Sequence, residues 1–438
     1  AALRLWGDVV TGRAGTGLLL AAFVWIASPS AAQTAASCTP TGKNLFVRDV
    51  MTDLYLWYTE IPALDPSRFP SPEAYLDAIR YRPLDSSYSY IADRASTEAF
   101  FASSQYAGFG FSSALDAALA LRVVQVYPAS PADEAGLLRG DRIVEINGRS
   151  VDELLATDAL GAAYGPPEAG VPGELVVRRG EDTLRASMVK RPVIIPTVSH
   201  TTVFDVGGQR VGYVFFRNFV EPSFGALAEA FEVLRSGGAR ELVLDLRYNG
   251  GGLVNVAQFL GGLIGGARTE GQVFAEYFHN DRNAFRNQIL RFDTQPAALP
   301  LERLVVITTQ ASASASELVI NALRPFIPVV IVGDRTYGKP VGQYAIPFCD
   351  KILAPVSFQL RNANGEGDFF DGLPPTCPAP DDFDAQLGDP TEGSLREALT
   401  VIATGACSSP PSTTARTQRQ RQRTSPRATG WDAVLGAN

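Results

Sequence analysis

Histidine is almost missing from this 438-residue chain, which has two, His200 in "TVSHTTVFD" and His279 in "EYFHNDRN". Neither neighbourhood resembles that of a triad histidine, so a serine nucleophile would need another base, for which lysine is the usual alternative. Both histidines read as surface or packing residues. Lysine is nearly as scarce: Lys43, Lys190, Lys339 and Lys351 complete the set. The four cysteines show no pair at close metal-ligand spacing, which argues against a zinc site, and no metal or other cofactor is expected. Net basic charge is absent too. The formal charge is −8, and the tail from 408 carries five arginines against one aspartate, so the rest of the chain is more acidic still. Such a body argues against nucleic acid as a partner. No P-loop Lys-Ser/Thr or G-x-G-x-x-G follows the strand before "NGGG", which argues against nucleotide binding there.

Long apolar runs are also lacking. The densest, Leu18 to Ala27, is too short to span a bilayer comfortably. It follows Arg13 and ends in the small residues Ser30, Ala31 and Ala32, the pattern of a secretory signal peptide over 1–32. An uncleaved anchor is the competing reading. Cys38 follows "AAS", a poor lipid-attachment site, which leaves lipidation as a second route to a membrane. Export makes the chain periplasmic or secreted, and its even cysteine count then suggests disulfides. Cys349 and Cys377 share one loop-rich region and form the expected pair. The tail 408–438, rich in Pro, Ser, Thr, Arg and Gln, reads as disordered.

What is present divides the body into three. Residues 39–104 begin with a helical apolar stripe at 47, 50, 51, 54 and 58, followed by "SPEAYLDAIRY" with Ser71 as N-cap and Pro72 at the first helical position. Residues 105–195 carry "GFGF" and then "SPADEAGLLRGDRIVEINGRSV", a capped short helix between β-runs. From 196 to 407 strands alternate with helices: "VGYVFF", a helix from 223, "ELVLDL", a helix from 253, "LVVITT", another helix, then "VVIVGD". This alternation predicts an α/β layer architecture with a largely parallel sheet. Loops at the carboxyl ends of its strands are where sites form, and "RYNGGG" and "QASASAS" fall there.

The serine segment "ASASASELVINAL" (311–323) admits two readings. Ser314 and Glu317 stand at capping-box spacing. Alternatively one serine is a nucleophile at a helix start, where the dipole favours developing negative charge. Among the lysines, only Lys339 occupies a Gly-rich turn after a buried strand, "VVIVGDRTYGKPVGQ".

The middle segment closely resembles the PDZ domain. That resemblance implies that the N–H groups of Phe109, Gly110 and Phe111 bind the terminal carboxylate of a peptide, which adds as an extra strand. Together with "LVLDLRYNGGGLV", "SASASELVINAL" and "GDRTYGKPVGQ", in that order, the chain over most of 45–404 resembles the carboxyl-terminal processing proteases, also called tail-specific proteases. The resemblance implies a ClpP/crotonase-like α/β protease core with an inserted PDZ domain and a small N-terminal helical domain. It makes Ser314, the middle serine and 25 residues before the lysine, the nucleophile and Lys339 the base, with Gln343 orienting the lysine. Oxyanion donors carried over are the N–H groups of Ala315 and Gly251, while Ser312 and Ser316 become spacers or local hydrogen-bond partners. Lys339 could act as a base only if an apolar pocket lowered its pKa, a role for Tyr337, Pro340 and the preceding strand. The chain departs from the family pattern at Gly250, where proline is frequent, and at Pro340, where glycine is usual. The implied function is an exported serine endopeptidase acting on proteins with free C-termini, with an adaptor protein left open. The alternative is an inactive PDZ scaffold, against which the intact Ser314, Lys339 and Gln343 speak. An acyl-CoA enzyme of the crotonase type is disfavoured by the export signal and the PDZ segment.

Overall fold

The computed structural model describes residues 37–408. The expectations for a signal peptide over 1–32 and for a tail over 409–438 lie outside the described residues.

Five strands of the central six-stranded sheet run parallel: Gln209–Phe216, Glu241–Asp245, Leu304–Thr308, Val329–Gly333 and the short Cys377–Pro378. Val198–Val206 pairs antiparallel on the opposite edge. Alternate residues of each strand serve two different cores, as the two-residue period requires. Phe216, Leu244 and Val306 face one side, packed under the helices Ser223–Ser236, Val254–Gly265 and Ala315–Leu323. Phe215, Val243 and Val305 face the other, under the last helix, Gly393–Thr404. Both faces are covered, so these strands read as continuous apolar runs rather than as alternation. The expected α/β architecture is what the chain adopts.

The segment that resembles a PDZ domain forms its own sheet, in the order Phe111–Leu115, Leu121–Val126, Arg142–Ile146, Pro172–Arg179, Asp182–Val189. Its core includes Phe109, Phe111, Val123, Ile143 and Val177 and is separate from the two cores of the central sheet. Gln105–Gly108 pairs with Arg191–Ile194, so the chain enters and leaves this unit through one two-stranded ribbon.

The N-terminal helices, Pro40–Leu54 and Pro72–Ile79, start where their caps predict: Ser71 Oγ accepts from Ala74 N–H at 3.2 Å. They do more than lead in. Val47, Val50, Tyr55 and Tyr75 share one core with Val341, Phe348, Leu353 and Val356, which come from the strands after Lys339. Tyr90–Asp93 also pairs with Lys351–Ala354.

The expected pairing of Cys349 with Cys377 is not the one formed. The bridges are Cys38–Cys349 and Cys377–Cys407. Cys349 sits in the tight turn between Ile346–Phe348 and Lys351–Ala354, against the start of the first helix, where Lys43 meets Asp350 at 2.6 Å. Cys377 instead joins the edge of the central sheet, beside the chain leaving the last helix. Neighbours in a loop-rich sequence have been drawn to opposite structural partners.

Candidate active site

Three loops leave the carboxyl ends of three adjacent parallel strands, after Asp245, Thr308 and Gly333. They carry the Gly-rich segment, the serine segment and the lysine. The alternating serines divide their work. Ser312 Oγ donates to the Leu246 carbonyl at 2.7 Å, and Ser316 Oγ donates to the Asn249 carbonyl at 2.9 Å. Both are fully buried and fasten the serine segment to the Gly-rich loop. Asn249 adds two more ties: its carbonyl accepts from Ala313 N–H at 3.0 Å, and its side-chain nitrogen donates to the Phe216 carbonyl at 2.9 Å. Only the middle hydroxyl, on Ser314, lies on a partly exposed residue.

Ser314 holds φ 55° and ψ −113°, a conformation open to glycine and costly for a residue with a Cβ, on the order of 1–3 kcal/mol. Gly251 is what allows the loops to close on it. A Cβ on Gly251 would lie 2.8 Å from Ser314 Cβ and 2.9 Å from Ala315 N, so only glycine fits.

Glu317 joins the serine segment to the lysine segment. Its fully buried carboxylate accepts from Ser314 N–H (2.9 Å) and Lys339 N–H (2.8 Å) through Oε2. Through Oε1 it accepts from the Thr336 hydroxyl (2.6 Å) and Gly338 N–H (2.7 Å). Burial raises its pKa, and those four hydrogen bonds work the other way, holding the charged form. The capping-box spacing is thus real, and its carboxylate half also reaches the lysine turn.

Lys339 Nζ donates to Gln343 Oε1 at 2.7 Å. The residue stays partly accessible, while its amine is enclosed closely enough that desolvation lowers its pKa from 10.5 to about 8, against opposing pulls from Asp85 and Glu317. In this conformation the amine rests on Gln343, and no hydrogen bond joins it to the Ser314 hydroxyl. In enzymes at large, hydrogen bonds between a nucleophile and its base are often long without substrate and tighten on binding.

The two oxyanion candidates differ. Ala315 opens the helix Ala315–Leu323, so its N–H has no acceptor within the helix. Gly251 N–H already donates to Asn249 Oδ1 at 3.0 Å, within its own loop. Phe109, Gly110 and Phe111, expected from sequence to bind a terminal carboxylate, are all buried, and Gly110 N–H donates to the Tyr106 hydroxyl at 3.1 Å. Phe111 opens a strand at the edge of its sheet, with Tyr164 packed edge-on at 6.0 Å.

Sequence reasoning did not find the link between this unit and the Gly-rich loop. Arg139 donates to the Tyr248 hydroxyl at 3.1 Å and to Asp381 at 3.1 Å, and Asp381 also accepts from Arg247 at 3.1 Å and from Tyr248 at 2.5 Å. Arg247 in turn meets Asp245 and Glu392 in a buried network. The one available signal was the run of charged residues in "DLRYN" and "PAPDDFD", whose meeting in space no spacing rule predicts.

A six-stranded α/β sheet carrying serine, lysine and Gly-rich loops at adjacent strand ends, beside a PDZ-type sheet, defines a peptidase-like class of protein. Sequence profiles agree: peptidase family S41 matches residues 210–377, the peptidase S41 N-terminal domain 43–90, and a PDZ domain 122–166. Over these segments the chain is similar to peptidase family S41 and to PDZ domains. It is 30% identical over 227 residues to carboxyl-terminal-processing peptidase 2, chloroplastic, of Arabidopsis thaliana, covering 50% of this chain and 42% of that protein. It is 28% identical over 316 residues to carboxy-terminal processing protease CtpB of Bacillus subtilis, covering 70% and 64%. A Bacteroides fragilis crystal structure assigned to the S41 proteases superposes with a TM-score of 0.67 at 27% identity, covering 82% of this chain and 97% of that one. The chain spans about half the length of the curated relatives it matches.

Proposed function

We propose that this protein is a serine endopeptidase in which Ser314 attacks a peptide carbonyl and Lys339 accepts its proton. The observation that carries the reading is the shared carboxylate: one oxygen of Glu317 receives the N–H groups of both Ser314 and Lys339. A lysine with a pKa near 8 holds an appreciable neutral fraction at physiological pH, which an exposed lysine does not. Rotation of the amine from Gln343 towards the hydroxyl begins the reaction, Ser314 Oγ adds to the carbonyl, and the proton passes to Lys339. Ala315 N–H supports the oxyanion. Gly251 N–H joins it if Asn249 Oδ1 releases it. Protonated Lys339 returns its proton to the leaving amine, and water hydrolyses the acyl-enzyme.

Substrate choice belongs to the PDZ unit, divided as 105–195 from a core at 196–407 and a helical region at 39–104. A free C-terminus adds along the edge strand Phe111–Leu115, its carboxylate on the N–H groups of 109–111. Gly110 must first exchange Tyr106 for that carboxylate. The protein acts after export, consistent with both disulfides. Among the described residues, no helix is long and apolar enough to cross a membrane. The test compares wild type, Ser314→Ala and Lys339→Ala on proteins differing only in their last few residues. Cleavage that needs an apolar tail and vanishes in both variants is expected. Undiminished cleavage by Ser314→Ala removes the nucleophile assignment.

A further inference from the structure

The base is not assembled by its own segment alone. The turn 85–89, "DSSYS", at the end of the helical N-terminal region, is fixed by Asp85, which is fully buried. Its carboxylate accepts from Tyr88 N–H (2.8 Å), Ser89 N–H (2.9 Å), the Ser89 hydroxyl (2.6 Å) and the Tyr55 hydroxyl (2.9 Å). A turn so held presents Tyr88 in one place, and three of its groups meet the lysine turn. Its hydroxyl donates to the carbonyl of Gly338, the residue before the base. Its ring lies 6.0 Å from Lys339 Nζ and packs edge-on against Tyr337 at 6.1 Å. Its carbonyl accepts from Gln343 Nε2.

That last contact has a chemical consequence. A glutamine amide can turn either end to a neighbour, and only its oxygen can accept from an ammonium. With Nε2 on the Tyr88 carbonyl, Oε1 is left facing Lys339, where the 2.7 Å bond forms. The ring acts by a different route. At 6.0 Å it stands at the outer reach of a cation–π contact, so its larger effect is to keep water from the amine.

We infer that Tyr88 is a positioning residue for the base: the N-terminal region supplies the wall that dries Lys339 and the carbonyl that orients Gln343. This deepens the proposed Ser/Lys chemistry and rests on it. It also gives the N-terminal region a part in the reaction, because Tyr88 sets a ring beside the amine and a carbonyl on Gln343, against the charges of Asp85 and Glu317, which favour the protonated lysine.

The experiment uses the full chain and two readouts. In the first, kcat/KM for a peptide substrate is followed from pH 6 to 10. Tyr88→Ala should move the rising limb to higher pH by about one unit or more, with rate recovered at the alkaline end. Every variant keeps the backbone carbonyl on Gln343, so the comparison reads the ring; Tyr88→Phe retains it and should leave the limb in place with a loss of a few-fold at most. A merely structural role would lower the rate equally at every pH. In the second, protein carrying 13C-lysine is titrated by NMR; with four lysines in the chain, Lys339→Arg assigns the signal. The Lys339 midpoint should rise in Tyr88→Ala whether or not the protein cleaves peptides. If Ser314→Ala stayed active, the proteolytic reading would fail while this titration still judged Tyr88. An unmoved midpoint and an unmoved limb in Tyr88→Ala overturn the inference. Should the alanine variant not fold, Tyr88→Val carries the same comparison.

Discussion

Ser314 and Lys339 hang their backbone N–H groups on one atom, Oε2 of Glu317. The two residues are 25 positions apart and come from different strand ends, yet one buried oxygen fixes their separation. Any change to that atom should therefore be felt at both.

Glu317→Gln is the sharpest version of that change. The amide keeps the shape but replaces one acceptor oxygen by an NH2 group, which must face donors now left without a partner. Each orphaned buried N–H costs roughly 1–3 kcal/mol. We expect kcat/KM to fall by about a hundred-fold or more, alongside a lower melting temperature. A variant that melted lower but kept full kcat/KM would show the clamp to be structural only.

The strain at Ser314 can be separated from its chemistry. Ser314→Ala and Ser314→Gly both remove the hydroxyl and should both abolish turnover. Glycine relieves φ 55° where alanine does not, so the glycine protein should be the more stable of the two by about 1–3 kcal/mol in chemical denaturation. Equal stabilities would mean the serine is not strained in solution.

The central sheet was legible because both of its faces are buried: strands such as Glu241–Asp245 and Leu304–Thr308 announce themselves as apolar runs between helical stripes. Ser71, whose cap contact spans three residues, was equally readable. The roles of Glu317, Asn249 and Tyr88 were not, since each depends on backbone groups brought together by the fold. Glu317 showed its local half, the capping spacing with Ser314, and concealed its reach to Thr336 and Gly338. Cys38 illustrates the same limit at longer range. Its partner is 311 residues away, and proximity in sequence pointed to a different pairing.

The two disulfides should differ in their worth. In the chain-entropy view, a bridge closing a loop of 311 residues restrains the unfolded chain by about 6 kcal/mol, and one closing 30 residues by about 4 kcal/mol. Cys38→Ser with Cys349→Ser should therefore destabilise more than Cys377→Ser with Cys407→Ser. The first pair also ties the N-terminal helices to the turn that follows Gln343, so its loss should lower kcat/KM as well. Non-reducing peptide maps check the pairing. A peptide linking Cys349 to Cys377 would contradict the structure.

Lys339 makes opposite demands on activity and stability. Its amine has a pKa of about 8 in the folded protein and about 10.5 when unfolded. Below pH 8 both states are protonated, and the folded state carries the full cost of an enclosed charge. Between about 8 and 10.5 the folded protein has released a proton that the unfolded chain still binds, so stability rises with pH across that window. Activity should rise over the lower part of the same range, as the neutral amine becomes available, with a midpoint in kcat/KM near 8. Lys339→Met removes the charge but keeps the bulk. It should abolish turnover and yet raise stability at pH 7, by at most ~3 kcal/mol given about 1.4 kcal/mol for each pKa unit. That gain should shrink as the pH approaches 10.5. Denaturant titrations at pH 7 and pH 10 measure it directly. A Met variant less stable than wild type at pH 7 would mean that the contact with Gln343 outweighs desolvation, and that the enclosed charge on the amine carries no net cost.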